Sequence, residues 1–152
     1  MEQEKIKTII EKILKESKPM MKTIDDIDNQ LHSSDEAPNN DELLKMTRKA
    51  AGAGNNLNKS FLKLKGIKIN EEQLKYSQLK VLASTENVKF VSTVADKEAS
   101  LYVKDIRLAR NILESYVSSA ITIISICRMH LKGEDTKVTG QLWGIYTFTL
   151  IT

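Results

Sequence analysis

The chain has 152 residues, 41% apolar and 28% charged, a composition that supports one folded domain with a buried core. Only 5% of residues are aromatic and there is a single cysteine, so aliphatic packing dominates and an intrachain disulfide framework is excluded. The net charge of +3 is small but unevenly distributed.

The opening Met1-Glu2-Gln3-Glu4-Lys5 has neither the cationic nor the apolar region of a secretory leader, and a cytoplasmic, reducing location is expected. Ile6, Ile10, Ile13, Met20, Ile24, Ile27 and Leu31 then recur in steps of three or four, with Ser17 in the one polar slot. That spacing predicts an amphipathic helix. Pro19 does not reset the phase. It either opens a second helix at its first turn or sits within a single one, because it lacks the donor that an interior turn requires. His32 to Asn40, rich in Ser and Asn and containing Pro38, predicts a loop over 32–40. Asn39 followed by Glu42 predicts a capped helix start.

The next segment places Leu43, Thr47, Ala50, Gly54, Leu57, Phe61 and Leu64 on one face, with Ala50-Ala51-Gly52-Ala53-Gly54 at its middle. Each glycine costs a helix interior about 1 kcal/mol relative to alanine. Either the chain turns there or a neighbouring backbone approaches closely, and the following Asn55, Asn56 and Asn58 favour the turn. Leu62-Lys63-Leu64-Lys65-Gly66-Ile67-Lys68-Ile69 alternates apolar and basic with a phase change at Gly66, which predicts a short bulged strand.

From Glu71 to Lys132 there is no glycine or proline, and apolar or small residues from Val88 to Leu131 recur about every 3.58 residues, near the period of a straight helix. A long helix over about 71–132 is expected. Unbroken, it would extend about 93 Å, so the fold is either elongated or interrupted, and Ser84-Thr85-Glu86-Asn87 is the favoured break at 84–87. Tyr116 to Cys127 is apolar but interrupted by Ser118, Ser119, Thr122 and Ser125, so a buried helix with a buried thiol is expected rather than a membrane span. Residues 134–152 are expected to form a hydrophobic, extended tail carrying Trp143, Tyr146 and Phe148. Its backbone polar groups need pairing, with 62–69, with another copy or with a partner protein. The fold class is therefore mainly α: a single elongated helical bundle over 1–152, with a minor two-stranded β element pairing 62–69 with 138–151.

No catalytic signature emerges. Gly54-Asn-Asn-Leu-Asn58-Lys59-Ser60 nearly spells a phosphate-binding loop, but Asn58 replaces the required glycine and helix, not strand, precedes it. Asp25-Asp26-Ile27-Asp28 lacks the glycine and distal glutamate of a calcium loop. His32 and His130 have no Cys or His at ligand spacing, and no nucleophile turn is marked. No catalytic residue, metal or cofactor is expected.

The charge pattern carries the functional expectation. Residues 43–70 hold Lys45, Arg48, Lys49, Lys59, Lys63, Lys65 and Lys68 with no acid, whereas 23–44 hold Asp25, Asp26, Asp28, Asp35, Glu36, Asp41 and Glu42 with no Lys or Arg. An ordinary solvated helix mixes signs to form i,i+4 pairs. A run of like charge points to a polyanion or to another protein surface. The leading expectation is a non-enzymatic, homo-oligomeric accessory protein, mediator-like, that binds single- or double-stranded nucleic acid through those seven side chains. Its copies would meet through Tyr102, Ile106, Leu113, Tyr116, Trp143, Tyr146 and Phe148. The alternative is a structural assembly or adaptor component, of a viral particle for example, that uses the two charged blocks and the carboxy-terminal strand against other assembly proteins.

Overall fold

A computed structural model describes residues 3–33 and 35–131, which form four helices: α1 (Gln3–Ser33), α2 (Asn40–Thr85), α3 (Ser92–Tyr102) and α4 (Lys104–His130). The mainly α expectation holds. The hydrophobic stripe of α1 is buried as its spacing requires, with Ile6, Ile10, Ile13, Ser17, Ile24 and Ile27 facing the core. Pro19 lies inside this single helix on an exposed face, where water can take up the Lys15 carbonyl that proline leaves without a donor. The loop expected at 32–40 falls between α1 and α2, although α1 continues one residue past His32, which occupies its last turn.

Helix α2 starts with the capping box foreseen at Asn39. The Glu42 backbone N–H donates to Asn39 Oδ1 at 2.9 Å and the Asn39 N–H donates back to Glu42 Oε2 at 3.0 Å. From there α2 runs for 46 residues, which corrects three expectations. The chain does not turn at 50–54, where Ala50, Ala51, Ala53 and Gly54 are buried and the core contacts they make outweigh the propensity cost of two glycines. Residues 62–69 are helix, not strand. Leu64 is fully buried with Phe61 and Ile67 packed beside it, a three-residue spacing that only a helix brings to one face. The proposed pairing with 138–151 loses its first partner, and 138–151 itself lies outside the described residues. Finally, Glu71 sits inside α2 and does not begin a helix.

The long helix expected over 71–132 is divided twice. The break foreseen at 84–87 is real: α2 stops in a Schellman motif, with Asn87 at φ 51° and Val88 N–H donating to the Ala83 carbonyl at 2.9 Å. Asparagine tolerates this left-handed conformation better than other side-chain-bearing residues. A second interruption at Val103 separates α3 from α4, and there Arg107 donates to the Ser100 carbonyl at 2.8 Å, taking up an acceptor near the end of α3.

Grooves shared between helices fix their directions. Residues near the start of α1 line a groove with Leu101, Tyr102, Lys104 and Asp105, whereas Leu31 and Leu43 line another with Ile126 and His130. Helices α1 and α4 therefore run in parallel, with α2 antiparallel to both. These two and roughly the first 30 residues of α2 form a three-helix body, whose most extensive interface is α2 against α4. The remainder of α2, from about Glu71, projects beyond the body and packs against α3 as a two-helix arm. At about 1.5 Å per residue α2 spans about 69 Å, against a diameter of about 40 Å for a compact chain of this size. The molecule is elongated.

Cys127 is fully buried, as its neighbours implied. Burial pushes its thiol pKa up, partly opposed by the Thr47 hydroxyl. Thr47 also donates to the Leu43 carbonyl at 2.8 Å, the same i−4 back-bonding that satisfies Thr8, Thr23, Thr85, Ser119 and Thr122 within helices. Among the described residues, α4 alone is long and apolar enough to cross a membrane by length and composition. Its core face is covered by α1 and α2.

Candidate nucleic-acid interface

An α-helix turns about 100° per residue, so the basic window of α2 can be projected onto its faces. Lys45, Arg48, Lys49, Lys59 and Lys63 fall within a sector of about 100° and are all exposed. From Lys45 to Lys63 the strip extends about 27 Å along the axis. The core residues Leu43, Met46, Thr47, Ala50, Leu57 and Leu64 occupy the opposite side, and their burial fixes which way the strip points. Two of the seven expected residues do not join it. Lys65 is exposed but stands about 200° round the helix from Lys63. Lys68 is largely covered, with Nζ 2.5 Å from Glu72 Oε2.

Among the described residues, Lys68 is the only member of the seven that forms an ion pair. The five cations of the strip therefore face solvent without a carboxylate within salt-bridge distance. The acidic block is nevertheless close by: Asp26 of α1 and Glu42 line the same groove as Lys45 and Lys49. These acids flank the strip on one side and temper its potential at longer range. Asp25 accepts a hydrogen bond from Tyr116 Oη at 2.9 Å, and His32 Nδ1 donates to the Asp28 carbonyl at 2.8 Å. Both groups thus serve the α1–α4 contact and the end of α1.

Gly52 lies at the middle of the strip, and a Cβ built there meets no heavy atom within 4 Å; the same holds for Gly66. Neither glycine is required by close packing. Together with exposed Asn56, Gly52 leaves a low, uncharged stretch between the Lys45–Arg48–Lys49 cluster and the Lys59–Lys63 pair. Among the described residues no aromatic side chain shares this face, since Phe61 turns toward the core and Tyr76 stacks edge-on against Phe90 at 5.6 Å. The strip can contact phosphate but offers no platform for stacking bases.

The side chains expected at contacts between copies separate into three groups. Ile106 and Leu113 are fully buried in this chain's own core and have no surface to give to a second copy. Tyr102 and Tyr116 are half-buried; Lys75 Nζ sits 5.3 Å from the Tyr102 ring centroid, and Tyr116 is bonded to Asp25. Trp143, Tyr146 and Phe148 lie outside the described residues. Sequence reasoning missed the arm altogether, because its exposed apolar positions share the helical period of the buried ones.

Gly54 to Ser60 lies within α2 and Asp25 to Asp28 within α1, so neither has the loop geometry of the phosphate or calcium motif it partly spells. Among the described residues no group of three His, Cys, Asp or Glu side chains could hold a metal. Compared with protein-family models, with curated proteins and with solved structures, the chain matches none of them.

Proposed function

We propose that this chain is a non-enzymatic, oligomeric accessory protein of the cytoplasm that contacts the phosphate backbone of nucleic acid through the outer face of α2. The observation that carries this reading is the alignment of Lys45, Arg48, Lys49, Lys59 and Lys63 on one exposed face with no ion pair among the described residues. Cations so placed exchange counterions for phosphates, and a face without aromatic side chains makes binding insensitive to sequence. Lys65 and Lys68 are not part of this contact.

Fluorescence anisotropy with labelled single- and double-stranded oligonucleotides across a salt series tests it. Five phosphate contacts give a slope of log affinity against log salt of about −4.5 on duplex or about −3.5 on single strands. Combined Lys45→Ala, Arg48→Ala and Lys49→Ala should flatten that slope, whereas Lys65→Ala should leave it unchanged. Absence of binding by the wild-type chain at about 50 mM salt, where backbone contacts are strong, would reject the proposal. The structural-assembly reading would then stand, with the strip meeting an acidic protein surface; the exposed apolar residues of the arm favour that second reading.

A further inference from the structure

The arm and the adjoining first turns of α4 leave a line of large aliphatic side chains in water. Val94 is 51% exposed and Leu101 69%, seven residues apart on one face of α3, and Leu108 is 52% and Ile112 46% exposed, four residues apart on one face at the start of α4. Within the arm itself only Ala95 and Ala99 are buried apolar residues of α3, which is little cover for a projecting two-helix unit. The charges beside the line are sorted by side. Lys97 and Lys104 flank one edge, Glu98 and Asp105 the other, and all four are exposed.

We infer that this face is the contact between copies of the chain, and that the copies meet with their α3–α4 segments parallel. In a parallel pairing each edge of one helix lies against the opposite edge of its neighbour, so Lys97 and Lys104 of one copy meet Glu98 and Asp105 of the next. An antiparallel pairing sets like edges together and opposes lysine to lysine. Val94, Leu101 and Leu108 then lie at the centre of the contact, between the two charged edges. This deepens the oligomeric part of the reading above by naming its surface, and it does not use the basic strip of α2.

The test is the mass of the full-length chain by sedimentation equilibrium, without nucleic acid, so that loss of assembly and loss of polyanion binding are scored separately. The wild type is expected at a multiple of 17.2 kDa. Leu101→Asp should reduce it to that single-chain mass with unchanged helical circular dichroism, since Leu101 contributes little to the core. Lys97→Glu with Lys104→Glu should dissociate the assembly, as should Glu98→Lys with Asp105→Lys, and mixing the two variants in equal amounts should restore it. A wild type that stays at 17.2 kDa at high concentration overturns the proposal. So does an assembly whose mass neither reversal changes, or a mixture of the reversed variants that fails to recover. If Leu101→Asp disturbs folding, the charge-reversed pair decides alone.

Discussion

The body and the arm are built on the same helix but held by different means. In the body, three helices enclose a continuous core from Ile6 to Cys127 that contains fully buried Leu57, Leu64, Ile106, Leu113 and Ile124. The arm substitutes small contacts for a core: two buried alanines, the Tyr76–Phe90 edge contact and the Lys75 ammonium over Tyr102. Apolar burial stabilises by roughly 25 cal/mol per Å², so the body has most of the folding free energy and the arm most of the uncovered apolar surface. A protein can therefore keep a stable fold and still reserve one end for association.

The sharpest way to break that contrast is truncation in each region, followed by urea denaturation at dilution. Leu113→Ala, in the body, should cost about 2–5 kcal/mol through lost transfer energy and a cavity. Leu101→Ala, in the arm, should fall within about 0.5 kcal/mol of the wild type. Equal losses would mean that the arm shares the core's cooperativity.

The two ends of α2 give a smaller, complementary pair. Asn39→Ala removes the capping box and should lower global stability by about 1 kcal/mol. Asn87→Ala places a less tolerant residue at φ 51° and should cost about 1 kcal/mol of the arm's local stability. Hydrogen exchange separates the two: Asn87→Ala should speed exchange at amides of 71–102 and leave those of α1 unchanged.

Two substitutions should stabilise the body. Gly52→Ala has free space for its Cβ and should add about 1 kcal/mol from helix propensity. Ser17→Ala removes a buried hydroxyl whose oxygen has no hydrogen-bond partner among the described residues, and should add about 1 kcal/mol. Thermal midpoints of the two variants and of their combination check both.

The smallest effect is alkaline. Tyr116 has its pKa raised, first by its hydrogen bond to Asp25 and then by burial, so the neutral phenol is favoured in the folded state. That contribution is complete below the ordinary tyrosine value of about 10 and is lost as pH rises through the higher folded value. Tyr102 behaves likewise, through burial and then the nearby Glu71. Tyr116→Phe should therefore flatten the fall in melting temperature above pH about 10. An unchanged profile would show that the α1–α4 hydrogen bond adds nothing.

Much of the body was legible in the amino-acid order because periodicity there reflects burial directly. The stripe of α1, the cap at Asn39 and the buried run through Cys127 follow from local rules of spacing and hydrogen bonding. The strand expected at 62–69 failed because an eight-residue alternation is too short to outweigh the burial of Leu64 and its neighbours, which depends on α1 and α4. The turn expected at 50–54 failed for the same reason. The basic strip was half legible. Composition marked the window, but only a straight helix through 43–70 divides five aligned cations from Lys65 and Lys68. The apolar stripe passes through Ile106 and Leu113 and leaves Leu108 off it, as their burial bears out. Periodicity alone does not say whether such a stripe meets this chain's own helices or another copy, and Ile106 and Leu113 were expected at the latter.

Because α2 passes without interruption from the body into the arm and packs against both α3 and α4, a single helix ties the strip to the elements that carry the association face. Any neighbour seated on the arm holds its own cations at a fixed angle and spacing to the first set. Individually weak phosphate contacts would then act as a linked array with high effective concentration, and affinity would climb with copy number rather than with the quality of a single site.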